Sequence, residues 1–96
     1  MTTRAQSASQ PTRVLVVEDE PEMLLGLEHN LQCEGFQVVT AATGTDGLAA
    51  WRRERPDLVL LDVMLPGISG FEVLESIRKD DRSVPVILIT AKGQET

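Results

Sequence analysis

Three stretches of the chain are short, continuous and apolar: 14–17 (VLVV), 58–61 (LVLL) and 86–89 (VILI). Strands buried on both faces read this way, and such strands belong to parallel sheets. A fourth stretch, 36–41 (FQVVTA), mixes polar and apolar residues and predicts an edge strand. Between these stretches the apolar period lengthens to that of a helix. Over 21–34, Met23, Leu27 and Leu31 form one stripe at i, i+4 and i+8, with Gly35 as the stop signal. Gly26 inside that stretch costs about 1 kcal/mol relative to alanine, so packing must hold the helix. Thr43 to Asp46 has the spacing of a capping box and opens a second helix, closed by Arg52, Arg53 and Arg55 ahead of Pro56. Leu48 and Trp51 make an i, i+3 apolar pair on it, directed at the core or its margin. Ser69 to Glu72 is another capping box, opening a helix to about Lys79 with Val73, Leu74 and Ile77 inward. The order is β-α-β-α-β-α-β. It predicts an α/β fold: a doubly wound parallel sheet with right-handed crossovers and helices on both sides.

At 96 residues and 10.5 kDa the chain is one small domain. Its 42% apolar and 25% charged residues exclude wholesale disorder. The polar, aperiodic segment 1–12 (MTTRAQSASQPT) is expected to be a disordered leader, with the folded part over 13–96. Fifteen acidic against nine basic residues leave a net charge of -6. Such a chain repels phosphate backbones and anionic lipid, so neither nucleic acid nor a membrane surface is an expected partner. No apolar run approaches the ~20 residues of a spanning helix. The single cysteine, Cys33, cannot form an internal disulfide, and the N-terminal residues lack the apolar segment of a secretory signal. Together these features predict a cytoplasmic protein. Cys33 is expected to be a small packing residue and His29 a solvated one. The arginines at 52–55 read as a solvated helix end that complements the dipole.

In open α/β sheets, ligands bind beyond the carboxyl ends of the strands. The first strand runs into Glu18-Asp19-Glu20, the third into Asp62 and the fourth into Thr90. If those three strands are neighbours, carboxylates and a hydroxyl converge on one site. Two carboxylates ~5 Å apart repel by about 3 kcal/mol at an effective dielectric near 20. A shared proton or cation relieves that strain. Hard oxygen ligands around a partly open position suit Mg²⁺, which prefers phosphoryl co-ligands. The pattern points to Mg²⁺-assisted phosphoryl chemistry with one aspartate as nucleophile. Each residue alone has a plainer explanation. Asp19 could cap the helix that Pro21 opens, Asp62 could cap the turn into Val63 and Met64, and Thr90 could be an ordinary strand residue. Their joint position at three strand ends favours the site. A nucleotide- or flavin-binding enzyme on the same architecture is disfavoured, because Glu18-Asp19-Glu20-Pro21 replaces the glycine-rich loop with charges that repel phosphate.

Three motifs carry a resemblance: Val16-Val17-Glu18-Asp19-Glu20-Pro21, the run from Pro56 through Asp62-Val63-Met64-Leu65-Pro66-Gly67 to Leu74, and Pro85-Val86-Ile87-Leu88-Ile89-Thr90-Ala91. Together, in this order, they resemble a bacterial response-regulator receiver domain from Arg13 to about Lys92. The resemblance implies a flavodoxin-like sheet, here in the order 2-1-3-4. It implies that Asp62 accepts a phosphoryl group from a sensor histidine kinase, with Mg²⁺ as cofactor. The metal set would be Glu18, Asp19, Asp62 and the backbone carbonyl of Met64, and Thr90 would be the switch hydroxyl. The implied role is that of a phosphoacceptor signalling domain that assists its own phosphorylation, not an enzyme. Ser69 stands where the family usually has aspartate, and either caps a helix well. The family's fifth strand, with its Lys-Pro pair, and its last two helices have no counterpart in the sequence as it stands. Lys92 follows Thr90-Ala91 directly and does not occupy the position of that lysine. This predicts a partial, C-terminally truncated receiver whose fourth strand is an edge, prone to swapped or edge-paired homodimers. The alternative is a phosphorylation-incompetent interaction module that docks a kinase through its first helix.

Overall fold

The computed structural model describes residues 11–90. Residues 1–10 of the expected leader and Lys92 lie outside the described residues. Seven elements follow one another: β1 (Arg13–Val17), α1 (Pro21–Cys33), β2 (Gln37–Ala41), α2 (Gly44–Glu54), β3 (Leu58–Asp62), α3 (Gly70–Asp80) and β4 (Val86–Ile89). All strands pair in parallel, in the order β2-β1-β3-β4. This is the doubly wound α/β sheet that the alternation predicts. Pairing extends one residue before β1, since the Gln37 amide donates to the Thr12 carbonyl at 2.9 Å.

The central strands carry the core because both of their faces are covered. Val14, Leu15, Val16 and Val17 of β1 are wholly buried. On one side of the sheet Leu15, Val17, Val59 and Leu61 pack with Ala50 and Trp51 of α2 and Val73 and Ile77 of α3. The opposite side has α1 alone. Its stripe of Met23, Leu27 and Leu31 is only half-buried, and no residue of α1 is fully buried. One helix cannot cover four strands. Leu60 on that side is half-buried, and Ile87, its register partner on β4, is 50% exposed. Cys33, expected to pack, is exposed for the same reason, with Sγ 3.6 Å from Nε2 of His29 one turn earlier.

The helix ends follow their signals. Gly35, at φ 96°, ends α1 in the left-handed region that a side chain disfavours. Thr43 Oγ1 accepts from the Asp46 amide at 3.0 Å and caps α2. At α3 the capping box is complete: the Glu72 amide donates to Ser69 Oγ at 3.3 Å, and Glu72 Oε1 accepts from the Ser69 amide at 2.9 Å. Ser69→Ala is therefore expected to cost about 1 kcal/mol of stability. Urea titration should show a lower midpoint with an unchanged slope.

At their far ends, α2 and α3 are joined through Trp51. The indole Nε1–H donates to Asp80 Oδ2 at 3.0 Å, and the guanidinium of Arg55 lies 4.9 Å from the ring centroid and 3.7 Å from the same carboxylate oxygen. Arg55 adopts φ 44°, a left-handed conformation unusual outside glycine, where α2 stops. In the turn leading to β4, the amide and hydroxyl of Ser83 donate to Asp81 Oδ1, each at 2.8 Å, and hold that carboxyl below the ordinary aspartate value.

The topology also sorts the charges. Helices run antiparallel to the strands, so helix C-termini gather at the N-terminal edge of the sheet. All seven basic residues among those described lie at that edge: Arg13, Arg52, Arg53, Arg55, Arg78, Lys79 and Arg82. Glu34, Glu54, Asp57, Asp80 and Asp81 share that edge and offset part of the charge, while Glu18, Asp19, Glu20, Glu22, Asp46, Asp62 and Glu72 lie at the opposite edge with no described arginine or lysine. Among the described residues no helix is long and apolar enough to cross a membrane.

Candidate metal centre

The parallel register places the acidic strand ends level with one another. Val17 pairs with Leu61, so Glu18, one residue on, stands beside Asp62. Asp62 pairs with Ile89, which brings Thr90 to the same edge. The three strands whose ends the sequence marks are thus neighbours, with β1 and β4 flanking β3.

Glu18 is 1% exposed and Asp62 0%, while Asp19 is half-buried. One carboxylate oxygen of each lies within 4.8 Å of those of the other two, and no other such cluster of three occurs among the described residues. The backbone holds the cluster in place. The Glu18 amide donates to the Ala41 carbonyl at 3.0 Å, and Glu18 Oε2 accepts from the Glu20 amide at 2.8 Å. Asp62 Oδ1 accepts from the Met64 amide at 3.1 Å. Glu20 occupies the N-cap position of α1 and makes no side-chain capping bond. Asp19 is therefore not the helix cap that its sequence context allows. Asp62 does both things its context suggests: it supports the turn and faces the acidic neighbours. Thr90 is exposed, immediately after β4.

At this spacing each pair of anions repels by about 3 kcal/mol at an effective dielectric of 20. Burial of two of the three carboxylates raises the cost of keeping all of them charged. A divalent cation reverses the balance. The donor set is wholly of hard carboxylate oxygen, which fits Mg²⁺ and gives a thiophilic metal no ligand. The cluster can therefore hold a metal ion beside a nucleophilic carboxylate.

The loop from β3 to α3 contains geometry that sequence reading missed. Gly67 sits at φ 78°, in the left-handed region. Gly70, the first residue of α3, lies so close to the end of β3 that a Cβ placed there would run into the Asp62 carbonyl oxygen. The dipeptide Ser69-Gly70 signals a helix start in the sequence, but nothing local reveals what the glycine touches.

Comparison with known proteins agrees with this geometry. Residues 14–96 match the response regulator receiver domain family. The chain is 48% identical over 83 residues to the probable transcriptional regulatory protein TcrX of Mycobacterium tuberculosis, covering 86% of this chain and 36% of that one. It is 42% identical over 86 residues to protein PilH of Pseudomonas aeruginosa, covering 88% and 71% respectively. Among solved structures, the response regulator TrrA of Thermotoga maritima, in complex with Mg(2+)-BeF, superposes with a TM-score of 0.81 at 43% identity, over 85% of this chain and 71% of that one. The chemotaxis protein CheY4 of Vibrio cholerae gives a TM-score of 0.81 at 30% identity, over 88% and 72%. The chain thus spans roughly a third of the length of the first of these relatives, at 36%.

Proposed function

This chain belongs to the response regulator receiver domain family, and from that premise we propose that it is a phosphoacceptor: Asp62 takes a phosphoryl group from a histidine kinase with Mg²⁺ bound beside it. The observation that carries this reading is the packing of Asp62 against Glu18 and Asp19 within 4.8 Å. TrrA, similar in fold and sequence, binds Mg(2+)-BeF, which supports an equivalent role for the acidic cluster here.

In this reading Asp62 is the nucleophile. Its carboxylate oxygen attacks phosphorus, the bond from phosphorus to the donor's imidazole nitrogen breaks, and the imidazole leaves with the electron pair. The Met64 amide, donating to Oδ1 at 3.1 Å, fixes the plane of the carboxylate before attack. Glu18, Asp19, Asp62 and the Met64 carbonyl would hold the magnesium, which when bound supplies positive charge to the phosphoryl oxygens. The Glu20 amide, on Glu18 Oε2, keeps that side chain turned into the site. Thr90, one residue beyond the register partner of Asp62, supplies the hydroxyl that turns toward the added phosphoryl group. The group adds about −1.5 to −2 charges and biases the neighbouring loop. The product is a modified signalling domain, not a released product of turnover.

The test is direct. With Mg²⁺ and acetyl phosphate, intact-mass spectrometry should show one added phosphoryl group, stable in acid and lost in base. Chelation of Mg²⁺ should prevent it. An unmodified protein under these conditions would reject the phosphoacceptor reading; if that protein still bound a histidine kinase in a pull-down, docking without phosphorylation would replace it.

A further inference from the structure

We propose that Gly70 is a positioning residue for the metal site, acting as a contact stop between α3 and the backbone of Asp62 and Val63. The inference rests on the phosphoacceptor reading and deepens it. Gly70 is buried, and its amide donates to the Val63 carbonyl at 3.0 Å. A Cβ at this position would collide with the Asp62 carbonyl oxygen and come within 2.8 Å of Val63 Cα and 3.0 Å of the Asp62 carbonyl carbon. Every one of these atoms is backbone, so none can move aside by a change of rotamer. α3 is itself held by Val73 and Ile77, both wholly buried. A side chain at position 70 must therefore press directly on the Asp62–Val63 peptide, which the Val63 amide ties to the Ile89 carbonyl at 3.0 Å. That peptide carries the carboxylate of Asp62 at one end and leads into Met64 at the other, the amide of which holds Asp62 Oδ1. Two of the four ligating groups assigned to magnesium thus take their position from the absence of a side chain at residue 70.

Two features separate this from a general packing role. The intervening loop, with Gly67 at φ 78° and exposed Pro66, spans from Val63 to Gly70 and could in principle set the same geometry by its own stiffness. The other close glycines, Gly44 and Gly47, press mainly on side chains of Ile68, Val73 and Val17, and the one backbone atom near Gly44, the Ile68 carbonyl oxygen at 3.0 Å, belongs to no ligating residue. Among the described glycines, only Gly70 bears on the backbone of a ligating residue.

The test is calorimetric titration with Mg²⁺ well below the melting temperature, on the whole chain. Gly70→Ala should weaken magnesium binding by about tenfold or more, the range seen when support of a metal ligand is removed. Ile77→Ala, a cavity variant on the same helix, should lower the melting temperature while leaving magnesium affinity within about twofold. Pro66→Gly, which loosens the loop and adds no clash, should also stay within about twofold. Affinity retained in Gly70→Ala, or lost equally in Ile77→Ala or Pro66→Gly, would overturn the proposal. The Pro66→Gly arm stands even if Gly70→Ala does not fold. Wild-type protein that bound no Mg²⁺ would sink the reading of the site itself and this inference with it, an outcome distinct from wild-type binding that Gly70→Ala shares.

Discussion

Asp62→Asn is expected to abolish the phosphoryl adduct completely and, in the absence of Mg²⁺, to make the protein more stable. Both effects come from one carboxylate. The amide side chain keeps an oxygen to accept from Met64, 3.1 Å away, so the turn after β3 persists. What disappears is the nucleophile and one of three negative charges confined within 4.8 Å. Relief of that repulsion should add on the order of 1–3 kcal/mol to the metal-free protein. Adding Mg²⁺ then reverses the ranking, because the wild type gains by linkage what the variant has lost. Urea titrations of both proteins, with and without Mg²⁺, read the stabilities, and intact mass reads the adduct. An adduct that survives in Asp62→Asn would move the acceptor to another residue. A variant less stable than wild type without Mg²⁺ would mean that the carboxylate cluster is not under repulsive strain.

The second large effect lies at the other end of the molecule. Trp51→Ala should cost about 3–5 kcal/mol, the range for removing a large buried aromatic from a packed core. Trp51 is 1% exposed and is the largest wholly buried side chain. Its loss leaves a cavity beneath α2 and removes the indole donor from Asp80 on α3. A domain of this size commonly has only about 5–15 kcal/mol in hand. Thermal melting by circular dichroism should therefore show the variant largely unfolded near room temperature, or melting far below wild type. Trp51→Phe separates the two contributions: it refills most of the volume and loses the bond to Asp80, so its cost should be about 1–2 kcal/mol. A variant Trp51→Ala that melted within a few degrees of wild type would show that α2 is held elsewhere.

How far the sequence could be read depends on whether the information is local. The strands were legible because VLVV and LVLL are apolar at every position, and Val14 to Val17 are indeed buried at every position. The Ser69 capping box was legible because both of its hydrogen bonds lie within four residues. Glu18, Asp19 and Asp62 could be proposed together because the alternation marks the strand ends, while the strand order that makes those ends neighbours came from the family resemblance and is the order observed. Three features were beyond that reach. The clamp of Trp51, Arg55 and Asp80 joins residues 29 apart, which share no local signal. The half-buried state of α1 depends on how much of the sheet its side of the fold covers, not on its own stripe, which reads as inward. Its consequence, an exposed Cys33 in place of a packing one, follows from the same shortfall. The contact of Gly70 with Asp62 depends on the distance between two backbones, for which a glycine in a sequence is only an invitation.

The sorting of charge along the strand direction makes this protein an electric dipole as well as an anion. Seven described arginine and lysine residues share one edge with five carboxylates, against seven carboxylates at the other, so the field around it has a direction. At physiological salt that field decays over about 8 Å, too short to draw a macromolecule from a distance. It acts in the last steps of a collision, where it favours encounters that bring a cationic surface to the carboxylate end and turns back those that arrive reversed. Orientation on contact is thus partly decided by the basic last turns of two helices, α2 and α3.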